Sequence, residues 1–207
     1  VNFAAIRNVW RYSKADFAAM AATILVTLGF GVEQGVVAGV LLSLALLLGR
    51  TSRPHAAIVG RVPNTEHFRN VDRHDVITDP RIVTIRIDES LTYLNARWLE
   101  EHVLEVIADR PQVRHLILMG SAINAIDASA LESLEAINHR LADAGIKLHL
   151  SEVKGPVMDR LRASHLLGDL TGRVFLSQDD AFAALVASSD DEGVEPREDL
   201  WLARGLI

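Results

Sequence analysis

Residues 17–48 form an apolar run of 32 positions in which Glu33 and Gln34 are the only strongly polar side chains. A helix at the surface of a water-soluble protein keeps a polar stripe, and this run has none to offer. As one helix it would extend about 48 Å at 1.5 Å per residue, far more than a hydrocarbon layer of roughly 30 Å. Two shorter helices joined at Gly29-Phe30-Gly31 fit better, with arms over residues 16–31 and 34–49. Each arm is short for a full crossing, which suits a place inside a larger bundle. Arg7, Arg11 and Lys14 precede the first arm, and Arg50 and Arg53 follow the second. A hairpin puts both basic flanks on one side, which the positive-inside rule assigns to the cytoplasm. The expected plan is a cytoplasmic basic flank over 1–15 and a transmembrane hairpin over 16–49. Gly31, Gly35, Gly39 and Ser43 recur every four residues, a spacing that lines small side chains on one helix face and lets another helix approach in lipid. That face implies neighbouring helices, which need not all lie within this chain.

The overall composition conceals this division. Across 207 residues, 21 Lys and Arg stand against 27 Asp and Glu, a net charge of −6. Residues 1–53 carry five bases and two acids, net +3, so residues 54–207 carry net −9. No basic surface of the kind that nucleic acid requires is present. Cysteine is absent, which removes disulfides, thiolate metal sites and cysteine nucleophiles. Val1 stands where an initiator methionine would, and a longer natural product is expected.

From Pro54 onward the pattern alternates strands and helices. Strands are expected at 57–61, 81–87, 113–119, 146–150 and 173–176, with helices from Asn95, over 129–144, from Pro156 to 163, and over 178–186. Residues 62–80 read as loop. Gly145 is placed to close the helix over 129–144, and Ser177 to open the last one. Strands separated by helices argue for an α/β domain over 54–187 with a mainly parallel sheet, followed by an acidic, mobile tail over 188–207. Ligands of such sheets gather where strands end and helices begin, which directs attention to residues 88–94 and 120–127.

Catalytic signatures are missing. There is no phosphate loop, dinucleotide fingerprint, zinc-binding HExxH or nucleophile elbow in the sequence. Asp72-Arg73-His74-Asp75 is one short cluster that contains an arginine, and His102 with Glu105 has no partner pair on a second helix. No enzyme, metal site or cofactor is expected. The informative segment is Asp127-Ala128-Ser129-Ala130-Leu131-Glu132. Ser129 with Glu132 three residues on has the form of a capping box, while a serine at a helix N-terminus is also a favourable place for an added phosphate.

Asp127-x-Ser129-Ala130-x-x-x-Leu134, set between a buried strand and a helix, resembles the signature of STAS domains, shared by anti-sigma-factor antagonists and the tails of SulP-type anion transporters. Arg86-Ile87-Asp88 with Leu91, Tyr93, Asn95, Ala96 and Leu99 is similar to the transporter branch. So is Arg53-Pro54-His55 followed by Gly60-Arg61-Val62-Pro63, directly after a membrane hairpin. The resemblance spans residues 1–187. It implies the C-terminal part of a sulfate- or bicarbonate-type transporter of the cell (inner) membrane, with both chain ends and the STAS domain cytoplasmic. The last two spans and a regulatory or assembly module would lie here, and the anion site in spans that precede them. Implied partners are the lipid bilayer, the remaining spans, a second copy in a homodimer, and a regulatory protein at Asp127, Ser129 and Ala130. Antagonists usually carry glycine where this chain has Ala130. The alternative is a membrane-tethered phospho-switch of the antagonist type, and some STAS domains suggest weak nucleotide or carrier-protein binding at the same edge.

Overall fold

The computed structural model describes residues 3–191, and the chain divides into two compact units, Val1–Arg53 and Pro54–Ile207. The first unit is helical: α1 (Phe3–Tyr12), α2 (Lys14–Phe30) and α3 (Val32–Ser52). Ser13, in extended conformation, ends α1 and caps α2 by accepting a hydrogen bond from the Asp16 amide at 3.2 Å. Gly31 makes the turn between α2 and α3 with φ 104°, a backbone conformation that side chains with a Cβ rarely adopt. At the open end of the hairpin Arg50 donates to Asp16 at 2.6 Å. Because both groups are well exposed, this pair contributes at most about 1 kcal/mol.

The two long helices present their apolar side chains outward. Leu25, Leu28, Val36, Val40, Leu41, Leu44 and Leu47 are all exposed, and Gly35 alone is buried among the described residues of α2 and α3. Helices that are apolar all round need lipid or other helices to cover them. α3, with 21 residues, is long and apolar enough to cross a membrane; α2, with 17, spans about 26 Å. Part of the small-residue stripe packs within this chain. Gly31 is the turn itself. Gly35 and Gly39 face α2 of the same hairpin, where a Cβ on Gly35 would overlap Thr27 Oγ1 and one on Gly39 would stand 3.1 Å from Thr23 Cγ2. The threonine hydroxyls that line this contact bond back to Ala19 and Thr23 carbonyls at 2.8 Å, so they leave no polar group unpaired in an apolar setting. Ser43, further along, lines a groove with Gly39, Asp16, Thr23 and Arg50.

The second unit is built on a six-stranded sheet in the order β2-β1-β3-β4-β5-β6. The strands are β1 (Ala56–Arg61), β2 (Phe68–Asn70), β3 (Ile82–Ile87), β4 (His115–Met119), β5 (Lys147–Ser151) and β6 (Val174–Phe175). β3 to β6 run parallel, and β1 runs antiparallel to both β2 and β3. The intervening helices are α4 (Ala96–Ala108), α5 (Ala128–Asp143), α6 (Gly155–Arg162), α7 (Leu166–Asp169) and α8 (Gln178–Asp191). One sheet face packs Leu116 and Leu118 against Leu99, Leu134, Ile137 and Leu161; the other packs Ile117 and Met119 with Phe182 and Leu185. α5 closes as its sequence predicts: Gly145 sits at φ 71°, with Gly145 N donating to Ala142 O and Ile146 N to Leu141 O, the two bonds of a Schellman ending. Ser177 caps α8 through the Asp180 amide at 3.0 Å.

Two elements escape the sequence pattern. β2 is three residues long and offers one anchor, Phe68, which meets Phe182 edge-on with ring centroids 5.8 Å apart. α7 is a single turn. At the chain end, α8 continues through Asp191, so 188–191 are helical rather than tail, and 192–207 lie outside the described residues.

A buried histidine pair crosses from β4 to β5. His149 accepts from the Arg173 amide at Nδ1 (3.0 Å), so its neutral ring carries the proton on Nε2 and donates it to His115 Nδ1 at 3.1 Å. Burial, together with the charges of His115, Arg173 and Lys147, pushes the His149 pKa down to about 4. Between that value and the ordinary pKa of about 6.5 the unfolded chain binds a proton that the folded chain does not, so stability rises with pH across this window and is lost on acidification. Thermal denaturation is therefore expected to lose on the order of 3 kcal/mol from this group as pH falls from 7 toward 4. His149→Phe should flatten that dependence by about one proton, and an unchanged slope would refute the assignment.

Candidate functional site

Two loops predicted to matter meet at the edge where the parallel strands end. The first, after β3, and the second, after β4, are joined by Leu91 N donating to Ala125 O at 3.0 Å and Asp127 N to Leu91 O at 3.2 Å. The Asp127 carboxylate completes the junction. Its Oδ1 accepts from the Ala130 amide at 2.9 Å, and its Oδ2 from the Tyr93 amide at 2.8 Å.

This corrects the capping box expected at Ser129 and Glu132. Asp127, extended at φ −99° and ψ 177°, is the N-cap of α5, and Ser129 is the second helical residue. A carboxylate offers two oxygens to two loops at once, which a hydroxyl at position 129 could not reach from inside the helix. Ser129 is consequently exposed, and its hydroxyl makes no hydrogen bond among the described residues. Ala130 is fully buried, which explains a small side chain there without reference to modification.

Residues that the sequence did not single out support the loop from β5 and α6. Arg160 donates to Ile126 O at 3.0 Å, and Lys154 to Asn124 Oδ1 at 2.6 Å. Beneath them lies a pocket of 20 Å³ walled by Leu91, Leu118, Ile123, Ile126 and Leu161, too small and too apolar for an organic ligand. The edge turns Tyr93, Ala128 and Ser129 outward, all three exposed. Nothing in the sequence pattern marks Arg160 or Lys154, because their contacts follow from how α6 turns back over the loop.

The segments that resemble the transporter branch also meet. Arg86 donates to Asp88 through Nε at 2.7 Å and Nη2 at 3.1 Å, and His55 Nδ1 lies 2.9 Å from Asp88 Oδ2. The Asp88 amide donates to His55 O at 3.0 Å. Burial alone would raise the Asp88 pKa, but the hydrogen bonds from Arg86 and His55 outweigh it and hold the carboxyl below its ordinary value. Arg86-Ile87-Asp88 and Pro54-His55, 33 residues apart, thus form one clamp where the chain enters β1.

A sheet of this order, with a capped helix and a zipped loop pair at its strand ends, defines a class that comparison identifies. The STAS domain model matches residues 73–181, more than half of the chain, and the chain belongs to that family. Similarity extends beyond the domain into the helical unit. High affinity sulfate transporter 2 of Stylosanthes hamata is 28% identical over 195 residues, covering 88% of this chain and 29% of that protein. Sulfate transporter 3.1 of Arabidopsis thaliana is 31% identical over 197 residues, covering 89% and 30%. The structure of the murine Solute Carrier 26 family member A9 anion transporter in the inward-facing state shares the fold, with a TM-score of 0.75 at 19% identity over 88% of this chain and 30% of its own. The chain therefore spans less than a third of these relatives' lengths. Its apolar helices and its similarity to transporters make it part of a membrane protein, and those relatives are named as transporters rather than enzymes.

If Asp127 is the cap, Asp127→Ala should cost about 1–2 kcal/mol of domain stability, whereas Ser129→Ala should stay within about 0.5 kcal/mol. Chemical denaturation of the two variants measures both. Equal costs would return the capping role to Ser129.

Proposed function

We propose that this chain is the C-terminal portion of a SulP-type anion transporter of the cell membrane, sulfate being the first candidate substrate. Residues 16–49 supply its last two spans, and residues 54–187 form a cytoplasmic STAS module that regulates or assembles it. The observation that carries this reading is similarity to sulfate transporters across both units, at 28–31% identity over 88–89% of the chain. The outward apolar faces of α2 and α3 support it, since they require lipid and the remaining spans as cover. In this reading the protein is multi-pass, both ends of the hairpin face the cytoplasm, and the functional unit is a homodimer. Asp127 and Ala130 build the loop edge, and Ser129 with Tyr93 offers a surface to a regulatory protein. None of the chain's residues is assigned to the anion path, because two helices cannot enclose one. The phospho-switch alternative rests on the exposure of Ser129.

Transport assays on the full-length protein that contains this chain, in proteoliposomes, test the reading. Saturable uptake of radiolabelled sulfate, reduced by competing small anions, is expected. Absence of uptake for sulfate, bicarbonate and chloride alike would overturn it. In the same preparation, Ser129→Asp and Ser129→Ala should give the same uptake if the serine is only surface. A difference between them would favour control by phosphorylation.

A further inference from the structure

α1 is unlike the two helices that follow it. At ten residues it extends about 15 Å, half of what a hydrocarbon crossing requires, and it carries two arginines. Its described side chains divide by helical spacing. Arg7, Asn8 and Arg11 fall on one side, exposed; Val9 and Trp10 fall on the other. Trp10 packs edge-on against Phe17, in the first turn of α2, with ring centroids 4.7 Å apart, yet half of its surface stays open, and Tyr12 is 92% exposed. Tryptophan and tyrosine with arginine at the end of an apolar span are what a membrane–water interface selects. Charge points the same way. The first fifteen residues hold three cations and no acid. The first acid, Asp16, is taken by Arg50 at 2.6 Å. Among the described residues, Arg7 and Arg11 have no ion-pair partner. The extended Ser13 between α1 and α2 breaks the helix, which frees α1 from the direction of the span.

We propose that α1 lies in the plane of the membrane surface on anionic phospholipid, with Val9 and Trp10 at the headgroup–acyl boundary and Arg7 and Arg11 on lipid phosphates. The proposal rests on the membrane reading of α2 and α3, and it adds to the hairpin a lipid-reading element at its entrance. Phospholipid is favoured over a protein partner because the exposed aromatic and basic groups sit where α2 begins, at the depth where headgroups lie if α2 spans.

The chain contains no cysteine, so in the full-length protein, with any cysteine outside this chain replaced by serine, single cysteines introduced here are the only sites spin-labelled. Nitroxides at Val9→Cys, Asn8→Cys and, as a control within α3, Leu41→Cys are compared in vesicles of phosphatidylcholine with and without phosphatidylglycerol. Accessibility to oxygen and to a water-soluble nickel complex reports depth. The expected result is a deep label at Leu41, a shallow membrane position at Val9, and a nickel-accessible label at Asn8. Arg7→Gln with Arg11→Gln should lower the docked-to-free ratio read at Val9 by about 30-fold in the phosphatidylglycerol vesicles. A water-exposed Val9 label beside a deep Leu41 label would overturn the α1 proposal alone. A water-exposed Leu41 label would overturn the spanning hairpin and α1 with it. A Val9 label as deep as Leu41 would make α1 part of a span, and indifference to phosphatidylglycerol and to both arginines would refute the anionic-lipid contact.

Discussion

β4 is buried along its whole length and on both faces, and that constraint organises the domain. A strand with no polar side can be satisfied only at the centre of a sheet that is covered twice. β3 and β5 supply its parallel neighbours, α4 and α5 cover one face, and α8 returns to cover the other. The return of α8 is fixed by a polar pin as well as by apolar contact. Gln178, at its first turn, accepts from Ser151 Oγ at 2.6 Å and donates to Thr84 Oγ1 at 2.9 Å, all within the core. Such a buried chain stabilises only when every member is paired, and it therefore selects one placement of the helix over others.

The two units use apolar surface in opposite ways. The domain turns its aliphatic side chains inward, so it can stand in water. The hairpin turns them outward and keeps glycine and threonine for its own seam, where Gly35 and Gly39 bring α3 against Thr27 and Thr23. In an apolar medium there is no hydrophobic gain in joining helices, and close backbone approach with internally bonded hydroxyls takes over.

At the strand ends, one carboxylate does the joining. Asp127 ties α5 to the loop after β3, and through that loop to the clamp of Arg86, Asp88 and His55 at the other side of β3. Arg160 and Lys154 support the loop edge, and the pocket beneath it, at 20 Å³, is too small for an organic ligand.

Much of this was readable from the residues. Apolarity over 17–48 interrupted only at Glu33 and Gln34, the β-branched run at 81–87, the largely aliphatic run at 113–119, Gly145 and Ser177 each state a local requirement that few conformations meet. The hairpin, the parallel strands, the end of α5 and the start of α8 follow directly. The family signature, too, is a local string. Other features depend on who is adjacent, which no local pattern encodes. β2 exists because β1 and Phe182 receive Phe68; the histidine pair depends on the register of β4 against β5. Ser129 looked like the cap because serine and glutamate have the right spacing, but Asp127 reaches a second donor, Tyr93, 34 residues away in sequence. Local chemistry thus determined the elements and their ends. Only the tertiary structure decided which of two suitable side chains took the cap, because that choice turns on a hydrogen-bond donor brought in from another loop.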